Sequence, residues 1–158
     1  MTYERFEDLP VWKAAIALAE KIYALTEKPL FKGKYSLRDQ IERAALSVSN
    51  NIAEGFERGT TQELLTFLYI SRGSAGEVRS MLCFLERLPA FLDLKSEISN
   101  LKSEVEGISR QLREWADSLQ NSEIKGQRYL NEKEQRLTKG KKEKAEFLNT
   151  LKSYQKVK

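Results

Sequence analysis

Polar side chains recur along one stretch of the chain at spacings that would align them on one face of a helix. They follow one another at steps of three, four, four and three residues and comprise Gln40, Arg43, Ser47, Asn51 and Glu54. Serine and asparagine are poor helix formers in solvent, so their presence indicates hydrogen bonds to a specific partner. Three partners are open: a neighbouring helix of the same bundle, a second subunit, or a ligand in a binding or catalytic site.

Three arginines, Arg58, Arg72 and Arg79, form a second group that could bind phosphate. Arg72 and Arg79 are seven residues apart and fall on one side of a helix, with Arg58 in the preceding turn. The planar guanidinium fork matches the oxygens of a phosphate group, so these arginines are candidate nucleic-acid-binding residues. The alternative is that nearby carboxylates neutralise them. Those carboxylates are Glu63, Glu77 and Glu86.

Two glycines lie in the middle of the same predicted helix, in the segment Arg72-Gly-Ser-Ala-Gly76. Each glycine destabilises a helix interior by about 1 kcal/mol relative to alanine, so the close approach of another backbone would explain them. We therefore expect Gly73, Ser74 and Glu77 to lie at a contact with a neighbouring helix or a second subunit.

A cluster of lysines near the C-terminus is the stronger electrostatic signal. Residues 121–158 carry eleven basic and five acidic side chains, whereas residues 1–120 have a net charge of −2. A basic segment on a slightly acidic body attracts polyanions, and the binding weakens steeply with salt. We expect Lys139, Lys141, Lys142 and Lys144 to contact nucleic acid; the alternative is a basic end that only aids solubility.

Composition removes most enzyme classes. The chain has no histidine and one cysteine, which excludes His-based nucleophile pairs and the usual tetrahedral zinc sites. No glycine-rich nucleotide-binding loop occurs. An all-carboxylate metal site remains open, but the Glu-x-x-His pairs of di-iron bundles are absent, and we expect no cofactor, no metal and no catalysis. An enzyme built on carboxylates such as Glu54 and Glu77 is a rival interpretation. The sequence also lacks a membrane span and a secretory signal, which favours a cytoplasmic protein with no membrane partner.

Hydrophobic periodicity predicts four helices that would position these residues. We expect helix starts at Asp8, with Pro10 in the first turn, at Ser36, at Thr60 with a capping box to Glu63, and near Asp93. The last helix carries an unbroken heptad seam ending at Leu119. The pattern predicts an all-α protein: an up-down four-helix bundle over residues 1–119 and a basic, partly helical C-terminal extension over 120–158.

Several blocks of the sequence are similar to a known protein family. The blocks are 6–12, 37–47, 67–77 and the specific Asn-Ile-Ala-Glu-Gly run at 51–55. They resemble the four-helix-bundle family encoded by intervening sequences in bacterial large-subunit rRNA genes. The resemblance covers about residues 5–119 and leaves the extension outside.

That family is similar to the accessory variability determinant of diversity-generating retroelements, a pentameric bundle that forms a basic, barrel-like ring. The resemblance implies a homopentamer with a non-catalytic accessory role, which binds RNA or DNA and has a reverse transcriptase as a further partner. The retroelement proteins are basic over the bundle, whereas residues 1–120 are slightly acidic here. Either the extension supplies the charge or binding differs in this protein. The alternative function is a scaffold for protein–protein contacts that does not bind nucleic acid.

Overall fold

Four long helices account for most of the described structure. The computed structural model describes residues 3–121, 140 and 143–148, and this part of the chain contains no β-strand. The long helices are α1 (Pro10–Thr26), α2 (Tyr35–Glu57), α3 (Thr61–Arg87) and α4 (Lys95–Gln120). Short 3₁₀ helices precede α1, α2 and α4, at Phe6–Asp8, Pro29–Phe31 and Pro89–Leu94.

The four helices close into one bundle because each buries an apolar stripe. Successive helices pack against each other, and α1 also contacts α4. One fully buried residue from each helix illustrates the shared core: Leu18, Ile52, Leu82 and Leu112. The predicted four-helix bundle is therefore confirmed. Among the described helices, none combines the length and the hydropathy that crossing a bilayer requires.

By its internal contacts the chain divides into two compact units, residues 1–126 and 127–158. The four helices belong to the first unit. In the second unit, residues 143–148 are helical and exposed, Lys144 included. Lys139, Lys141 and Lys142 lie outside the described residues, so their expected contact with nucleic acid stays a prediction.

The predicted N-cap of α3 at Thr60 is confirmed, whereas the return bond of a capping box, from the Thr60 backbone N–H to the Glu63 carboxylate, stays a prediction. The Thr60 hydroxyl oxygen accepts a hydrogen bond from the Glu63 backbone N–H at 3.2 Å, and the hydroxyl lies 2.8 Å from the Glu63 carboxylate. The starts expected at Asp8 and Ser36 are wrong. The residue that precedes α1 is Leu9 and the one that precedes α2 is Lys34, and neither makes a side-chain cap bond.

Replacing Thr60 with alanine should lower the free energy of unfolding by about 1 kcal/mol, because the first turn of α3 loses its side-chain acceptor. Urea unfolding followed by circular dichroism measures the change. Thr66→Ala is the matched control: Thr66 lies inside α3, and its hydroxyl donates to the Gln62 carbonyl of the preceding turn. Alanine there should leave stability equal or slightly higher, and equal losses at both positions would contradict the capping role.

Candidate nucleic-acid interface

Two of the five stripe residues on α2 belong to a chain of hydrogen bonds that reaches α3. The Ser47 and Ser74 hydroxyl oxygens are 2.8 Å apart, and the Asn51 amide donates to the Ser47 hydroxyl at 2.9 Å and to its carbonyl at 2.7 Å. The Ser74 hydroxyl in turn donates to the Ile70 carbonyl at 3.2 Å. These bonds form one chain of donors and acceptors across the two helices. The Ser47–Ser74 contact therefore joins α2 to α3 within the bundle, and a role of these residues at a subunit interface stays a prediction.

The remaining members of the stripe lie nearer to solvent. The Gln40 amide donates to the Glu77 carboxylate on α3 at 3.2 Å, which places both beside the serine contact. Arg43 is exposed and lies 3.5 Å from Asp39 of its own helix. A shallow groove of about 530 Å³ opens here between α2 and α3. Its lining residues are Ser36, Asp39, Gln40, Arg43, Ala44, Ser47 and Glu77.

Arg58 is separated from the other two candidate arginines and is bound by carboxylates. Its guanidinium lies 2.7 Å from Glu54 and 3.7 Å from Glu63, and 5.2 Å from the centre of the Phe67 ring. The hydrogen bond to Glu54 raises the pKa of Arg58 above its usual value, and the charge of Glu63 adds to the effect. A phosphate group would have to compete with these two carboxylates, so a nucleic-acid contact at Arg58 stays a prediction.

Arg72 and Arg79 lie on the side of α3 that faces α4. The Arg72 Nε donates to the Ser109 hydroxyl at 3.4 Å, and Arg79 is exposed one heptad further along. The carboxylates expected to neutralise them lie elsewhere: Glu63 binds Arg58, Glu77 accepts from Gln40, and Glu86 binds Lys102 at 2.6 Å. Among the described residues, no carboxylate lies within salt-bridge distance of either arginine.

A row of charged and polar residues follows the boundary between α3 and α4. Among the described residues, three side-chain hydrogen bonds cross this boundary: Gln120 donates to Tyr69, Arg72 to Ser109 and Lys102 to Glu86. We call the row the α3/α4 edge, and it consists of residues at helical steps from these contacts. Its members are Tyr69, Arg72, Arg79, Glu86, Lys95, Lys102, Glu106, Ser109, Arg113, Asp117 and Gln120.

The α3/α4 edge has a positive excess that the overall charge hides. It holds five basic and three acidic side chains, whereas the rest of residues 1–120 holds eleven basic and fifteen acidic ones. At one end, a hydrogen bond from Lys102 lowers the pKa of Glu86, and the charges of Lys95 and Arg87 add to this effect. The positive charges of Lys102, Lys95 and Arg87 therefore outweigh the negative charge of Glu86 at this end of the edge.

The contribution of α4 to this edge was not among the features predicted from the sequence. Lys102, Ser109 and Arg113 lie at steps of seven and four residues, directly beside the hydrophobic seam of the helix. That periodicity could have identified them as a row. Only the register between α3 and α4, however, shows that this row contacts Arg72.

Gly73 does not lie against a neighbouring helix of its own bundle. A Cβ atom built on Gly73 or Gly76 would meet nothing within 4 Å, although two mid-helix glycines had indicated a close approach. Large apolar side chains flank them, with Ile70 46% and Phe84 52% exposed. We call this surface, made of Ile70, Gly73, Gly76 and Phe84, the open face of α3. The expected contact of Gly73 with a neighbouring helix of the same bundle is therefore wrong. The expected contact of Gly73 with a second subunit stays a prediction.

These features define a class of protein: a four-helix bundle whose stripe of small polar residues joins two helices and whose charged edges face outward. Among the described residues, no group of three or more acidic, cysteine or histidine side chains is arranged to hold a metal ion. The family model of the 23S rRNA-intervening sequence protein matches residues 7–114. The chain belongs to that family. A comparison with curated proteins finds none that matches it.

Proposed function

We propose that this protein is a non-catalytic, homo-oligomeric accessory factor that binds RNA or DNA in the cytoplasm. The observation that carries the proposal is the positive α3/α4 edge, on which Arg72 and Arg79 face outward without a carboxylate partner among the described residues. Guanidinium groups in this state can neutralise phosphates without first breaking an ion pair. The slightly negative charge of the bundle as a whole is no obstacle, because the acidic excess lies on its other surfaces.

Self-association is the second part of the proposal. The open face of α3 combines exposed apolar side chains with two glycines beside which a second backbone would fit. We propose that copies of the chain meet there and form a ring, with five subunits as in the retroelement accessory protein that the family resembles. Repetition of one basic edge around a ring would raise a weak contact to useful avidity. A reverse transcriptase is the protein partner that the same resemblance suggests.

The C-terminal extension has a supporting role in this proposal. Lys144 is exposed, and the neighbouring lysines at 139, 141 and 142 would add to the same attraction for polyanions. The edge and the extension are separate sources of positive charge, so the charge of each can be removed by its own substitutions. The long-range electrostatic attraction would come from both, and the fixed phosphate contacts from the edge.

The Arg72→Gln/Arg79→Gln double variant tests the proposal directly. We expect its affinity for a labelled RNA or DNA oligonucleotide to fall about tenfold at low salt. The plot of log affinity against log salt should lose about 0.7–0.9 of its slope for each phosphate contact removed. Fluorescence anisotropy over a salt series measures both quantities.

The matched control is Lys13→Gln/Lys32→Gln, which removes the same charge from exposed positions away from the edge. Equal losses in both double variants would show a general effect of net charge rather than a site. If the intact assembly binds neither RNA, DNA nor heparin at low salt, the proposed function is wrong. The protein-scaffold alternative would then be favoured, since an apolar interface shows little dependence on salt.

A further inference from the structure

One end of the α3/α4 edge carries an exposed aromatic ring and basic side chains from both helices. Tyr69 is 43% exposed, and its hydroxyl oxygen accepts a hydrogen bond from the Gln120 amide at 2.8 Å. Arg72 follows one turn later on α3. Arg113 lies on α4 between Ser109, which Arg72 contacts, and Gln120. Tyr69, Arg72 and Arg113 therefore lie on the same stretch of the α3/α4 edge.

The two arginines of this cluster are available to a ligand. Within the part of the chain that the structure describes, Arg72 donates only to the neutral Ser109 hydroxyl, at 3.4 Å. Arg113 lies 3.7 Å from Asp117, and both side chains are more than half exposed. An exposed ion pair of this length contributes little stability, so a phosphate group can replace the carboxylate. The tyrosine, by contrast, is held by Gln120, so ordering its ring on binding costs little conformational entropy.

We propose that this cluster binds single-stranded nucleic acid, with one base stacked on Tyr69 and the flanking phosphates on Arg72 and Arg113. The inference rests on the proposed function and adds the state of the nucleic acid and the residue that recognises it. Aromatic rings beside basic side chains bind single strands because any unpaired base can stack on them. In a duplex the bases stack on each other, and a ring on a helix surface reaches only the sugar–phosphate backbone.

Three variants test the stacking step. Tyr69→Leu removes the ring, Tyr69→Phe keeps the ring and removes the bond to Gln120, and Tyr35→Leu removes an exposed tyrosine elsewhere, on α2. The probe is a fluorescein-labelled strand of about 20 nucleotides, longer than a typical single-strand site. Binding is compared with that of the same strand in a duplex, by anisotropy at low salt, and circular dichroism checks the fold of each variant.

We expect Tyr69→Leu to bind the single strand about tenfold more weakly, because one stacking contact is lost. Tyr69→Phe and Tyr35→Leu should bind within about twofold of the unaltered protein, and the duplex should bind more weakly than the single strand. The inference is overturned if Tyr69→Leu binds normally, if Tyr69→Phe loses as much as Tyr69→Leu, or if the duplex binds as tightly. Failure of the unaltered protein to bind any nucleic acid would instead overturn the proposed function.

Photocrosslinking keeps the test valid if Tyr69→Leu does not fold. The unaltered protein is irradiated with a strand that contains 5-iodouridine, and the attached peptide is identified by mass spectrometry. We expect a crosslink at Tyr69 that the unlabelled single strand competes away. Crosslinks confined to the C-terminal extension would overturn the inference while leaving nucleic-acid binding intact.

Discussion

Replacing Gly55 with alanine is expected to lower the free energy of unfolding by about 1–3 kcal/mol, through overpacking between α2 and α3. A Cβ atom at Gly55 would lie 2.6 Å from the Cβ of Phe67 and 3.2 Å from Cδ1 of Leu64. The Phe67 Cβ is attached directly to the backbone, so a rotamer change cannot move it away. Relief requires the two helices to separate, which disturbs the core around them. Urea unfolding followed by circular dichroism measures the loss.

Gly73→Ala is the matched control for this prediction. It makes the same substitution inside a long helix, but the new methyl group meets nothing within 4 Å. Alanine should therefore stabilise the isolated bundle by about 1 kcal/mol through its helix propensity alone. Opposite signs at the two glycines are the expected result. A gain in stability at both positions would show that α2 and α3 adjust freely at Gly55 and that their close approach is not a constraint.

The sequence showed where the glycines are, but not which of them lies in close contact with a neighbouring helix. Gly73 and Gly76 were the evident candidates because they lie in mid-helix, whereas Gly55 lies near a helix end, where glycine is common for other reasons. Which glycine faces a neighbour depends on the register between α2 and α3. A single sequence does not contain that register, since it arises from the packing of side chains that are far apart along the chain.

Local signals were reliable where one residue controls the geometry. Thr60 and Glu63 predicted the start of α3 because the two side chains satisfy each other within one turn. Asp8 failed as a cap because Leu9 precedes Pro10, and a residue before proline is restricted to extended backbone. Leu9 has φ −65° and ψ 124°, so the helix begins immediately after it. Asp8 instead ends the preceding 3₁₀ helix.

The candidate interface shows the same division between local and distant information. The spacing of Arg72 and Arg79 could be read within one helix, and the structure places both on the predicted common side. The contribution of Arg113 and Gln120 could not be read from the sequence. These residues lie about 40 and 50 positions after Arg72 and Tyr69, and they come close to α3 only in the folded bundle. The net charge of residues 1–120 did not reveal the basic edge for a similar reason, because it adds the charge of this edge to that of the acidic surfaces.

Ile70→Asp and Phe84→Asp are each expected to dissociate the proposed assembly into folded single subunits. Both side chains lie on the open face of α3, about half exposed, and an aspartate there would remain solvated in the free subunit. In a subunit interface the same carboxylate would be buried without a partner, which is strongly unfavourable. We expect the dissociation constant to rise at least about a hundredfold, as for loss of a central interface residue.

Light scattering coupled to gel filtration measures this prediction, and Leu92→Asp is its control. Leu92 is 62% exposed in the 3₁₀ helix between α3 and α4, away from the open face, so its replacement should leave the mass of the assembly unchanged. Gly73→Ala gives an independent check, because the methyl group that stabilises the isolated bundle would fill the space needed by a second backbone. Higher stability of the subunit together with weaker assembly would distinguish an interface glycine from a merely exposed one. If the Ile70 and Phe84 variants keep the mass of the unaltered protein, subunits do not meet on this face.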